Sequence, residues 1–249
     1  MISTIESDRE KHEIIHGKNL ADSDPELIWG WKKPAGKRRA ERRAGIIAAS
    51  AFLLPGKYVL EIGCGTGVFT EIFARTGARI IAVDISGDLL QLARAKAIPS
   101  DQVSFLESRF EDCADRGPFD AVIGSSVLHH LDIKPALETI YRLLKPNGFL
   151  SFAEPNMLNP QIALQKNIPW IKKRMGDSPD ETAFTKRQMR KLFVDAGFVD
   201  IQITPFDWLH PATPSKLIHL LEKMGACAER IPVLKEFAGS LHISARRPF

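Results

Sequence analysis

A carboxylate and three glycines pose the first chemical question. In VLEIGCGTG, residues 59–67, Glu61 sits in an apolar run and Gly63, Gly65 and Gly67 follow at alternate positions. Glycines between a strand and a helix let helix-start amides face a space that any Cβ would narrow. An anionic or strongly polar ligand group belongs there, although glycines at such a place also mark plain tight turns. Asp84 ends the next apolar run, RIIAVD. A carboxylate at that strand tip accepts hydrogen bonds from adjacent ribose hydroxyls, and it serves equally as an N-cap for the following helix. A dinucleotide fingerprint, G-x-G-x-x-G, places its third glycine at position 68, where Val68 stands. That spacing argues against a nicotinamide-dependent oxidoreductase.

Further chemistry-bearing groups lie downstream and upstream. His129 and His130, in LHHL, supply either a general base or imidazoles packed against neighbouring elements. Glu154 and His210 are weaker candidates of the same kind. The stretch IWGWKKPAGKRRAERRAGII carries Trp29, Trp31 and a run of bases from Lys32 to Arg43. On a helix Arg38, Arg39, Arg42 and Arg43 share one side, with Ala40, Ala44 and Ile47 turned toward the sheet. That side is either a solvated face or a cap whose guanidinium groups grip an acidic acceptor.

Positioning these groups requires a sheet with helical crossovers. Apolar runs at 57–62, 79–84, 102–106, 119–124 and 148–154 alternate with segments of helical period, the pattern of a mostly parallel sheet covered on both faces. A helix opens after Asp132 as N-cap, with Ile133, Leu137, Ile140 and Leu144 on one face, and KPNG at 145–148 stops it. Another opens at Thr185, with Gln188 completing a capping box, and closes at Gly197. FVDIQI and SLHISA alternate as two closing strands that form an antiparallel edge. The prolines between 155 and 184 forbid one continuous helix. That segment reads as an inserted lid with Trp170 and Ile171 as its apolar anchor.

With four motifs in register from about Lys57 to Glu154, the sequence resembles the class I S-adenosylmethionine-dependent methyltransferases. The motifs are VLEIGCGTG, IIAVDIS, FDAVIGSSVLHHL and LLKPNGFLSFAEP, and they are most similar to the small-molecule branch that includes quinone-pathway enzymes. The resemblance implies a Rossmann-like, doubly wound, seven-stranded α/β sheet and S-adenosyl-L-methionine as cofactor. It implies that Glu61 and the backbone of Gly63, Cys64, Gly65 and Gly67 hold the methionine part. Asp84 takes the ribose, Ile85 packs on adenine, and Gly124 and Ser125 meet the amino or sulfonium side. Family members often place an acid after the third strand for the adenine N6, whereas this sequence has Arg109 there. Ser108, the backbone near Arg109 and Phe110, or Glu111 takes that contact instead. Trp31, Arg38, Glu154, Asn156 and His210 are candidates for the acceptor, and no metal is implied.

One domain accommodates all of this: a tail and cap helix over 1–54, a cofactor core over 55–154, the lid over 155–184 and the rest of the sheet over 185–249. Disorder is confined to the first twenty or so residues. The chain has 249 residues, 44% hydrophobic and 26% charged, with a net charge of +4. Those values fit a globular protein and lack the dense basic stripe of a phosphate-backbone binder. Cys64, Cys113 and Cys227 have neither disulfide-framework nor zinc-site spacing. No secretory leader is legible, and the longest apolar run, Ala44 to Leu54, falls short of the roughly 20 residues that span a bilayer. A soluble, cytoplasmic small-molecule methyltransferase is the resulting expectation. An RNA-modifying methyltransferase and a non-catalytic cofactor-binding partner protein are the alternatives. The Asn/Asp-Pro-Pro-aromatic motif of nucleobase amino-methylating enzymes is missing from GSSVLHH.

Overall fold

The computed structural model describes residues 8–174, Ser178 and residues 181–249. Three helices come first: α1 (Asp8–Ala21), α2 (Pro25–Ile28) and α3 (Pro34–Ser50). Sheet and helix then alternate through β1 (Tyr58–Ile62), α4 (Val68–Ala74), β2 (Arg79–Asp84), α5 (Gly87–Arg94), β3 (Val103–Glu107), β4 (Phe119–Ser125), α6 (Ile133–Leu143) and β5 (Leu144–Pro155). Two short helices, α7 (Pro160–Asn167) and α8 (Pro169–Arg174), precede α9 (Lys186–Asp195), β6 (Val199–Phe206), α10 (Ile218–Ala228) and β7 (Ser240–Arg246).

The seven strands run in the order β3-β2-β1-β4-β5-β7-β6. β1 to β5 are parallel, and β7 lies antiparallel between β5 and β6. Strand order reverses at β1, with β2 on one side and β4 on the other, so a crevice opens beyond the carboxyl ends of these strands. The central strands are buried on both faces, which is why they read as continuous apolar runs. Leu60, Ile62 and Val122 join one core, while Val59, Ile80 and Ile123 join the other.

Most of the expected elements form where the pattern places them, and four details differ. The amino-terminal segment is helical from Asp8, and its Gly17 sits so close to Ser86 that a Cβ there would come within 2.5 Å of the hydroxyl. Asp132 occupies the N-cap of α6 without a side-chain cap bond. The helix ends at Leu143, before KPNG, which lies inside β5 with Asn147 in the left-handed region at φ 61°. The lid is interrupted at Pro160 and Pro169, which open α7 and α8, while Pro179 lies outside the described residues; Trp170 is 66% exposed and so is no buried anchor.

α9 carries the strongest local signal. Thr185 accepts the Gln188 backbone N–H, while the Gln188 side chain accepts the Thr185 N–H at 3.0 Å. Gly197 ends the helix at φ 84°, and Met189 and Phe193 are buried in the core. Thr185→Ala removes one partner of this reciprocal cap. We expect a loss of about 1 kcal/mol in urea denaturation, and an unchanged midpoint would show the cap to be inert.

Candidate functional site

A cavity of about 940 Å³ lies over the carboxyl ends of β1 to β4. The loops after β1, β2, β3 and β4 form its floor, the tryptophan turn after α2 and helix α1 one wall, and residues 207–212 with α7 another.

The β1 turn is built by backbone geometry. Gly63 has φ 66°, and a Cβ there would meet Val127 at 2.5 Å; Gly65 has φ 52°, and a Cβ there would touch the Trp29 indole at 3.7 Å. A side chain at either position is excluded or strained. The Gly65 N–H donates to Asp84 Oδ2 at 2.8 Å, and the Ser86 N–H donates to Oδ1 at 2.9 Å. Asp84 therefore pins the glycine turn while keeping two further acceptor positions turned to the cavity it lines. Burial pushes its carboxyl up, against these two amide bonds. Ile85, Ser108, Arg109 and Phe110 line the same end. Arg109 Nε lies 2.9 Å from Glu10 of α1 and 3.6 Å from Glu111. Arg109, which stands where the resemblance expects an acid, is thus flanked by one carboxylate from α1 and one from its own loop.

Glu61 lies one layer down, 2% exposed, with a buried Oε2 that no partner satisfies. Burial first, and the nearby Asp84 charge second, push its carboxyl up to about 8, against Thr70. A lone buried acceptor beneath an amide-lined turn fits the ammonium end of an amino-acid ligand. The residues present therefore suit S-adenosylmethionine: an unsatisfied acid and open glycine turn at one end, a ribose-type acceptor in the middle, and an aromatic and polar pocket at the other. Cys64 lines the turn. Gly67 and Gly124 face elsewhere: a Cβ on Gly67 would meet Ala93 at 3.1 Å, and one on Gly124 would meet Phe152 at 2.7 Å. Both serve packing, while Ser125 reaches the cavity.

The histidines divide into two roles. His129 is 4% exposed, and its Nδ1 lies 2.6 Å from Glu154 Oε2. Glu154 Oε1 accepts the Val127 and Leu128 N–H groups, both at 3.0 Å. Burial acts to raise Glu154, but His129 and these amides outweigh it and hold the carboxyl low. Burial, with His130 nearby, keeps His129 low and so neutral, against Glu154. A neutral ring donating Nδ1–H to Glu154 leaves the Nε2 lone pair as its basic site. Glu154 is thus an orienter of His129 and not a contact for the acceptor. His130 lies between Glu13 at 2.9 Å and Glu181 at 3.5 Å, and these carboxylates raise its pKa despite burial. It joins Glu13 of α1 and Glu181 to the loop after β4, the more strongly when its ring is protonated.

The arginine helix behaves differently from its sequence. Arg38 turns outward to Glu222 in a bidentate pair at 3.0 Å, and Arg42 pairs with Glu229, so Arg38 does not reach the cavity. The inward pair is Arg39 and Arg43. Arg39 grips Asp207 bidentately at 2.9 and 2.7 Å, while Arg43 lies 3.7 Å from the same carboxylate. Arg43 is 3% exposed and donates to the hydroxyls of Ser126 at 2.9 Å and Ser240. Burial lowers it to about 10, which still leaves it charged at neutral pH. Two guanidinium groups share one carboxylate at the cavity wall. Trp31 lies beneath both, 5.3 and 5.7 Å from the guanidinium carbons, and His210 lines the mouth. Asn156 does not join them: it is fully buried, and its amide donates to the carbonyls of Glu236 and Ala238 at 2.8 Å. Sequence reading missed Asp207, Ser126 and Glu13, which reach the cavity from distant segments.

Residues 60–152 match the model of the methyltransferase domain family. Over this core, 93 of the 249 residues, the chain is similar to the S-adenosylmethionine-dependent methyltransferases. A ubiquinone biosynthesis O-methyltransferase of Xanthomonas campestris pv. campestris is 36% identical over 120 residues, 47% of this chain and 50% of that protein. The chain thus spans about half the length of the curated relatives it matches. The N-methyltransferase NodS of Bradyrhizobium japonicum, solved with S-adenosyl-L-homocysteine, superposes with a TM-score of 0.63 at 16% identity, covering 96% of this chain and all of that one. The 1,6-didemethyltoxoflavin-N1-methyltransferase of Burkholderia thailandensis, solved with 1,6-didemethyltoxoflavin and S-adenosylhomocysteine, gives 0.59 at 18% identity, covering 100% and 94%. These structural likenesses establish the fold.

The raised Glu61 carboxyl makes a signed prediction. A folded value of about 8 above an unfolded value of 4.5 means the buried carboxylate costs stability increasingly as pH rises through that window. Glu61→Gln mimics the protonated form. Its melting temperature should equal that of the wild type near the lower end and exceed it by a few degrees at the upper end, where an equal or lower value would contradict the assignment.

Proposed function

We propose that this protein transfers the methyl group of S-adenosyl-L-methionine to an O, N or C atom of a small molecule bearing an acidic group. The observation that carries the reading is Asp84, which fixes the glycine turn at the strand-order reversal and offers its remaining acceptor positions to the cavity. Glu61 and the turn from Gly63 to Gly65 would hold the amino-acid end, Asp84 the ribose, and Ile85, Ser108, Arg109 and Phe110 the adenine. The cofactor supplies a methyl group on a sulfonium that leaves as a neutral thioether. This chain's own task is alignment, exclusion of water and, for a protonated acceptor, removal of a proton.

His129 is the base in this reading, held in one tautomer by Glu154. Arg39 and Arg43 answer the acceptor's acidic group, because their one shared carboxylate leaves positive charge at the wall. The described parts of the cap over 1–54 and of the lid over 155–184 complete the pocket within one domain. The RNA alternative loses support, since Arg38 and Arg42 are occupied by Glu222 and Glu229. Cys64, Cys113 and Cys227 are free thiols, which supports a reducing compartment such as the cytoplasm. No described helix is long and apolar enough to cross a membrane.

Isothermal calorimetry with S-adenosylhomocysteine tests the cofactor. Asp84→Ala should weaken binding by about 3 kcal/mol, the loss of two charge-assisted hydrogen bonds, and undiminished binding would remove Asp84 from the site. Incubation of the protein with labelled cofactor and cell extract then identifies the acceptor; the reading expects a labelled acidic small molecule, and label in RNA alone would overturn it.

Base catalysis is tested separately. His129→Gln should cut turnover about 100-fold or more while cofactor affinity stays unchanged. Because its pKa is lowered, the wild-type rate should hold through neutral pH and fall only below the ordinary histidine range. A profile unchanged in the variant would assign the proton to another group.

A further inference from the structure

The outward face of α10 is apolar where a surface helix is ordinarily polar. Leu220, Met224 and Cys227 are exposed and spaced as one stripe, with Leu217 and Ile231 continuing it at either end. Met224 is 56% exposed, and Val233, just beyond, is 74% exposed. Single exposed apolar side chains are ordinary, but a continuous row marks an interaction surface. Lys223 on α10 stands beside this row, with Lys216 in the turn before the helix and Arg230 in the turn after it, seven residues apart and all exposed. Both acids of this helical segment turn the other way, Glu222 to Arg38 and Glu229 to Arg42 of α3. The inward pairs leave Lys216, Lys223 and Arg230 beside the apolar row with no carboxylate of residues 215–234 turned toward them.

We infer that α10 lies on an anionic lipid bilayer, with its leucine and methionine row in the headgroup boundary and Lys216, Lys223 and Arg230 on lipid phosphates. An interfacial helix has this composition: an apolar face that enters the boundary beside a basic one. Charge decides between occupants. A second copy of this face would present no carboxylate to the basic row, whereas an anionic membrane matches all of it. The inner side of the same helix rests on the cavity wall: Gly225 lies against Trp208, and Ile218 packs with Leu209. Both Trp208 and Leu209 line the cavity. Docking therefore brings the acceptor end of the cavity to the lipid boundary.

Co-sedimentation of the full chain with vesicles tests this independently of any methyl transfer. Vesicles of phosphatidylcholine containing phosphatidylglycerol should pellet the protein, and pure phosphatidylcholine vesicles should bind roughly tenfold less or weaker, with high salt lowering the binding to the anionic ones. Replacing Lys216, Lys223 and Arg230 together by Glu should reduce anionic binding about a hundredfold, at roughly fivefold per cation removed. Leu220→Glu with Met224→Glu should abolish it while the circular-dichroism melting curve stays as in the wild type. Failure of the wild type to pellet with anionic vesicles overturns the proposal. So does binding that both variants retain, or a dimer in light scattering that Met224→Glu dissociates.

Discussion

One carboxylate joins the ends of two strands, and the rest of the site is arranged around it. Asp84 closes β2 and receives the amide of Gly65 from the β1 turn and that of Ser86 from its own loop. The turn can aim the Gly65 N–H at that carboxylate only because glycines at 63 and 65 take left-handed backbone angles. Parallel pairing of β1 with β2, Ile62 opposite Val83, sets both strand tips at the same height. A ligand that spans the crevice thus meets amides and a carboxylate fixed relative to each other before it arrives, so little ordering remains to be done on binding.

Buried charge organises the opposite end of the cavity. Asp207 holds Arg39 and Arg43 over the Trp31 ring, and Glu154 holds His129 against the β4 loop. Neither carboxylate needs to touch a substrate. Each fixes a group that the proposed reading sets against the acceptor, and each is itself held: Asp207 by its N–H bond to Glu229, Glu154 by the amides it accepts. Ser126, at φ 58°, bends the chain after β4 so that those amides can point at Glu154. Removing either carboxylate would leave a buried cation or an unoriented imidazole, a larger disturbance than the loss of one hydrogen bond.

The sequence made the sheet legible because central parallel strands are buried on both faces and so carry no polar interruption. The glycine turn, Asp84, the capping box at Thr185 and the cysteine states are local signals and were readable for that reason. The acceptor end was not. Arg38 and Arg39 are neighbours of one type, and only Glu222 on α10 and Asp207 after β6 decide which turns outward. Asn156 is polar beside a strand tip, as a ligand-binding residue would be, but its amide closes the loop before β7. Trp170 is aromatic in a proline-rich segment, yet no partner covers it. Such choices rest on residues far apart in the chain, where a single sequence carries no spacing to read.

The central claim is that a nucleoside sulfonium lies across the ends of β1 and β2. A crystal structure of the protein with S-adenosylhomocysteine tests it most directly. The account requires the ribose hydroxyls within hydrogen-bonding distance of the Asp84 carboxylate and the amino-acid end on the turn above Glu61. Ligand density elsewhere, or a crevice closed by the protein's own side chains under saturating ligand, would contradict it.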